Sequence, residues 1–132
     1  MNRFASKEEE KLYYEHEASE EEFLNWYQKQ ERPEYDKPSL TVDIVLMCYN
    51  KEEDQLKVLL IQRKGHPYRN SWALPGGFVQ KDESTGESVL RETKEETGVV
   101  ISKENIEQLH TFSTPNRDPR GWVVTVSYLA FI

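Results

Sequence analysis

Glu92, Glu95 and Glu96 stand at i, i+3 and i+4, so on a helix their carboxylates share one face. Neighbouring like charges there repel by roughly 0.2–0.5 kcal/mol per pair. A hard divalent cation, which prefers oxygen ligands, would turn that repulsion into a binding site. Arg91, four residues before Glu95, sets a positive charge beside the cluster. Gly76 and Gly77 lie upstream, where a bare backbone can approach a ligand closely. A charge run taken alone reads as a solvated acidic face; the arginine and the glycine pair move the reading toward metal and phosphate chemistry.

The acidic residues need a helix to hold them. Ser84 followed by Glu87 is a capping-box pattern at its start, and Gly98 suits a left-handed position past its end. Val89, Leu90, Thr93 and Thr97 are left to face a core. Upstream, residues 40–49 are β-rich and apolar, and residues 57–63 form a second strand across a polar turn, an antiparallel hairpin. Residues 72–79 read as a short strand broken by Pro75 and the glycines. Residues 99–101 start another strand, 102–108 a turn or short helix, 109–113 a strand, and 122–132 a long strand. That last run carries no turn signal before the sequence stops, which predicts that the C-terminal part of the domain lies beyond residue 132. Residues 1–38 differ in composition and form a helical extension and connector, with helices near Ser6 and over 20–31; residues 39–132 form the main domain.

The spacing Gly77, five residues, Glu83, seven residues, Arg91-Glu92, two residues, Glu95-Glu96, one residue, Gly98 resembles the box of the Nudix (MutT-like) hydrolases. Seven fixed positions would match by chance in such a chain less than about once in a million at ordinary residue frequencies. Thr93 departs from the pattern, since the family usually has an aliphatic residue there, and predicts weaker packing without loss of chemistry. The resemblance covers roughly residues 40–132. It implies an α/β/α sandwich around a mixed sheet, and hydrolysis of nucleoside diphosphate derivatives with Mg2+ or Mn2+. Carried over by position, Glu92, Glu95 and Glu96 match the metal-binding glutamates, and Gly76 the residue whose carbonyl often joins them. Arg91 matches the arginine that orients a box glutamate; Glu83, with Gly77, supports the geometry. Glu92, Glu95 and Arg91 are the catalytic candidates, the general base being Glu92, Glu95 or a glutamate beyond residue 132.

Two flanking stretches, residues 71–78 and 116–121, resemble the branch containing ADP-ribose pyrophosphatases and the Nudix-related regulators of NAD metabolism. Under that resemblance Arg63, Trp72, Arg117 and Arg120 are substrate-binding candidates. Each has a competing reading. Arg63 is otherwise a solvated strand end, Trp72 a core residue (the favoured option), and the two loop arginines partners of Asp118. The implied reaction is cleavage of ADP-ribose or a related molecule; the alternatives are an ADP-ribose sensor with a DNA-binding domain beyond residue 132, and a MutT-type triphosphate pyrophosphohydrolase.

The totals set limits. With 132 residues and 36% hydrophobic composition the chain holds one domain with a modest core. A net charge of -7 argues against nucleic-acid binding by this segment, because that needs a basic face. No apolar stretch is long enough for a membrane span. The lone Cys48 reads as a buried core thiol in a reducing compartment, so the expected location is cytoplasmic. The partner expected is a small molecule, with a homodimer by family resemblance.

Overall fold

The computed structural model describes residues 3–132 and divides into two compact units, Met1–Asp36 and Lys37–Ile132. The first is a helical hairpin. Helix α1 (Lys7–His16) is capped by the Ser6 hydroxyl, which accepts from the Glu9 N–H at 3.1 Å. Helix α2 (Glu20–Gln28) has a full capping box between Ser19 and Glu22. It stops three residues short of the expected end because Gln30 turns back and donates its side-chain N–H to the Trp26 carbonyl at 3.0 Å. Tyr14 stacks on Trp26 at 4.8 Å with planes 7° apart, so the aromatics of α2 pack on α1. Aromatic faces and the Trp26 Nε1–H donated to Glu10 at 3.3 Å, with no buried residue in either helix, hold this unit together.

The second unit is built on β1 (Ser39–Asn50). On one edge it pairs antiparallel with β2 (Gln55–Val58), the expected hairpin, and at its other end with β5 (Gly76–Phe78). The expected strand over 57–63 is divided: residues 55–58 follow β1, while β3 (Ile61–Gln62) pairs with β4 (Trp72–Ala73) in a separate two-stranded sheet. The apolar run was one, but its pairing partners are two. Helix α3 (Thr85–Thr97) follows β5, and a 3-10 turn at Lys103–Asn105 leads into β6 (Glu107–Phe112) and β7 (Val123–Phe131). β7 runs parallel to β1 and antiparallel to β6, giving the order β2-β1-β7-β6. The mixed sheet with α3 packed on it agrees with the Nudix fold that the resemblance implies.

Strand alternation sorts the sheet into two faces. Val42, Ile44 and Leu46 of β1, with Val126, Tyr128 and Ala130 of β7, point toward Val89 of α3 and form the core. Their neighbours Thr41, Asp43, Thr125 and Ser127 face the other way. There the Thr41 and Thr125 hydroxyls meet at 2.7 Å, and the Ser127 hydroxyl donates to Asp43. One face is therefore core and the other a polar floor.

Helix α3 forms as its sequence dictates. The Ser84 hydroxyl accepts from the Glu87 N–H at 3.1 Å, and Gly98 closes the helix at φ 77° with its N–H on the Lys94 carbonyl. Thr93 is fully buried, and its hydroxyl donates to the Val89 carbonyl at 2.6 Å. The polar atom is satisfied, so what the departure costs is the mild penalty of back-bonding within a helix. Thr93→Val is expected to raise the unfolding free energy by about 0.5–1 kcal/mol, read from urea denaturation.

Three expectations are corrected. Residues 99–101 are not a strand: Val99 and Ile101 pack against the core from an irregular segment, where burial needs no ladder. Cys48 is exposed near the end of β1, where the strand pairs with β2. Trp72 is 66% exposed, since β4 belongs to the small sheet and not to the central one.

Candidate active site

Arg91 organises the acidic helix. Its Nε and Nη2 donate to the two oxygens of Glu83 at 2.9 and 2.7 Å, a bidentate pair. Nη1 donates to Glu92 at 2.8 Å and to Glu95 at 3.2 Å, and Nη2 reaches the Phe78 carbonyl at 3.2 Å. Local helix geometry supplies Glu92 and Glu95, whereas Glu83 and Phe78 come from the loop and strand before the helix. Their attachment ties β5 to α3.

Arg91 holds the Glu83 carboxyl well below its ordinary value of 4.5, at about 2, with help from the Gln80 N–H. A depressed acid contributes stability that is fully present above its unfolded value and lost as pH falls toward the folded one. The chain is therefore expected to lose stability between about pH 4.5 and 2. Glu83→Gln should remove part of that slope in urea titrations. Asp118, held at about 2 by Arg120, adds a contribution that is full above pH 3.8 and lost as pH falls toward 2.

Glu96 behaves oppositely. Burial first, then the charge and hydrogen bond of Glu92, push its carboxyl up to about 7, against the Gly76 N–H and the Arg63 charge. Glu92 and Glu96 thus bring together two carboxylates whose repulsion a divalent cation would relieve. The donor set fits Mg2+ or Mn2+. The side chains as they stand are arranged by Arg91: among the described residues no three acidic, His or Cys side chains converge as a ready cluster.

The two glycines have separate jobs. A Cβ on Gly77 would fall 2.5–2.7 Å from the Glu92 carboxyl group, so the backbone passes flush against that side chain. A Cβ on Gly76 would strike the backbone of Val42 and Asp43, the strand it pairs with.

On the polar face of the sheet a cleft of about 390 Å³ is lined by Arg63, Arg117 and Arg120 together with Gly76, Gly77 and Phe78. Arg63 Nε donates to the Pro67 carbonyl at 2.6 Å, and Arg117 Nη1 to Thr125 Oγ1 at 2.9 Å. Arg117 thereby reaches the sheet, and only Arg120 takes the Asp118 partner considered for both. Arg63 also borders a neighbouring cleft of about 530 Å³ with Lys64, Gly65 and Glu96, linking the arginines to the acidic helix. Trp72 does not line either cleft.

Sequence reasoning missed Asp43 and Phe78. Asp43 lies on the cleft floor, its carboxyl raised by burial and partly restored by Ser127 and Arg117. The available signal was an acid interrupting the apolar run from Val42 to Met47. Phe78 offers its ring to Arg120, 4.9 Å from the guanidinium, and its carbonyl to Arg91.

Residues 37–131 match the NUDIX domain family. The chain is 41% identical over 117 residues to the ADPR responsive transcriptional repressor NtrR of Acinetobacter baylyi, covering 87% of this chain and 44% of that protein. It is 41% identical over 92 residues to an ADP-ribose pyrophosphatase of Methanocaldococcus jannaschii, covering 70% and 50%. Among solved structures, a MutT/nudix family protein from Enterococcus faecalis superposes with a TM-score of 0.94 at 81% identity, over 98% of this chain and 50% of that one. The NUDIX domain of Shewanella oneidensis NrtR complexed with ADP ribose superposes with a TM-score of 0.70 at 44% identity, over 87% and 71%. The chain spans about half the length of the curated relatives it matches. Fold, box geometry and sequence thus lead to one conclusion: this chain belongs to the Nudix family.

Proposed function

We propose that the unit 37–132 binds ADP-ribose or a closely related nucleoside diphosphate derivative and hydrolyses its pyrophosphate bond with a divalent cation, Mg2+ or Mn2+. The observation that carries this reading is the cleft in which Arg63, Arg117 and Arg120 face the Gly76–Gly77 backbone beside Glu92. In a chain of net charge -7, three arginines in one cleft are a local reversal of sign suited to phosphate oxygens. Glu92, Glu95 and Glu96 would hold the cation, with Gly76 contributing backbone. When bound it would neutralise phosphate oxygens and acidify water. Arg63 and Arg117 orient the phosphates. Arg91 fixes the position of Glu92, and Glu92 or Glu95 accepts the proton of the attacking water. Water adds across the P–O–P bridge, and ADP-ribose yields AMP and a ribose phosphate.

A second reading has its own support. The similarity to NtrR covers most of this chain but less than half of that repressor. In a longer protein the unit would serve as an ADP-ribose sensor. Incubating the chain with ADP-ribose and Mg2+ or Mn2+ separates the two. AMP release that stops with EDTA supports hydrolysis. Saturable binding without AMP release would displace the enzyme reading in favour of the sensor, and absence of binding would overturn both.

A further inference from the structure

The three arginines of the cleft are not equivalent. Arg63 donates to the Pro67 carbonyl, and Arg117 to the Val123 carbonyl at 3.3 Å and to Thr125 Oγ1. These acceptors are neutral, and among the described residues neither guanidinium has a carboxylate in contact. Arg120 is committed differently. Its Nε and Nη2 donate to the two oxygens of Asp118 at 3.0 and 2.8 Å, and its backbone N–H to Asp118 Oδ1 at 2.9 Å. The turn is closed by the Gly121 N–H on the Asp118 carbonyl at 3.3 Å. Asp118 itself lines the cleft, while Asp43 accepts from the Ser127 hydroxyl and lies within reach of the Arg117 charge.

The electrostatic consequence concerns ligand charge. A diphosphate esterified at both ends carries a single charge on each phosphorus, which Arg63 and Arg117 match. A terminal phosphate carries about -1.5 to -2 by itself. Its additional charge would meet the Asp118 carboxylate and an Arg120 already neutralised by a bidentate partner. We propose that Asp118 is a specificity-determining residue that, by pairing Arg120, selects doubly esterified diphosphates over ligands ending in a free phosphate. This inference rests on the phosphate-binding reading of the cleft given above.

ADP-ribose and ADP test it, because they share the adenosine and both phosphorus atoms and differ in whether the outer phosphate is esterified. Binding is measured by calorimetry on the full chain in EDTA at neutral pH. The wild type should prefer ADP-ribose. Asp118→Asn should tighten ADP by about tenfold, the scale of removing one like charge from a partly exposed site, and ADP-ribose by less than about threefold. Asp118→Glu should keep the wild-type preference. Adding Arg120→Gln to Asp118→Asn should abolish the gain. A parallel change in both ligands, or a gain that survives without Arg120, would overturn the assignment while leaving the cleft reading intact. If the wild type binds neither nucleotide, the cleft reading fails and this proposal with it. Should Asp118→Asn not fold, Arg120→Gln alone decides: it leaves Asp118 unpaired and should weaken ADP more than ADP-ribose, and equal weakening counts against the proposal.

Discussion

Glu92→Gln is expected to lower the proposed metal-dependent hydrolysis of ADP-ribose by about 10²–10³-fold, the scale of removing one preorganised electrostatic contributor. Glu92 is more enclosed than Glu95, the other helix glutamate that Arg91 contacts. Its side chain is 14% exposed, Arg91 holds one oxygen at 2.8 Å, and the Gly77 backbone passes against it. Gln keeps shape and size but removes the charge proposed to hold a cation. Folding should therefore survive, and the loss should appear at saturating substrate. Gly77→Ala approaches the same group from the other side. Its Cβ would lie 2.5 Å from the Glu92 carboxyl carbon, so the carboxylate must move. A comparable loss in both variants, with unchanged thermal midpoint for Glu92→Gln, would place the effect at one point in space. Retention of a third or more of the activity in Glu92→Gln would remove Glu92 from the catalytic set.

The second large effect is on stability. Arg91→Lys is expected to cost about 2–3 kcal/mol in urea denaturation. Arg91 is 23% exposed along its side chain and makes charge-assisted bonds to Glu83, Glu92 and Glu95, plus one to the Phe78 carbonyl. A lysine keeps the charge but is a single point, and it cannot span two oxygens of Glu83 while reaching the other three acceptors. The variant leaves a half-buried glutamate cluster with less compensation and releases β5 from α3. Magnesium should restore part of the loss, because a cation can take over the charge but not the tie to Phe78. A cost below about 0.5 kcal/mol would put the network in the class of ordinary surface pairs.

These two residues were legible before any fold was known, and the reason is local. Helix α3 is specified by interactions within a few residues: Ser84 on the Glu87 N–H, Gly98 in the left-handed region, and glutamates on one turn. Whatever sheet it packs on, such a segment presents Arg91, Glu92 and Glu95 together. β1 and its hairpin with β2 were legible for the same reason, an apolar run followed by a polar turn.

Burial and partnership were not legible, because they depend on which distant strand lies alongside. Trp72 and Cys48 both looked like core residues by their neighbours in sequence. Trp72 lies in a side sheet, and Cys48 near the end of β1 where it pairs with β2. Val99 and Ile101 reach the core without a ladder. The division of labour among Arg63, Arg117 and Arg120 also belongs to tertiary structure. Arg117 reaches Thr125 because β7 follows its loop, and Arg120 lies over Phe78 because β5 runs beside β1. By itself the sequence determined the acidic helix, its caps and the chemistry its carboxylates can support. Only the tertiary structure placed Asp43 and three arginines in one cleft on the sheet's polar face, since the parallel pairing of β1 with β7 joins residues 84 positions apart, as in the Thr41–Thr125 bond. Such non-local pairing follows from the summed packing of the whole sheet, and no short stretch encodes it.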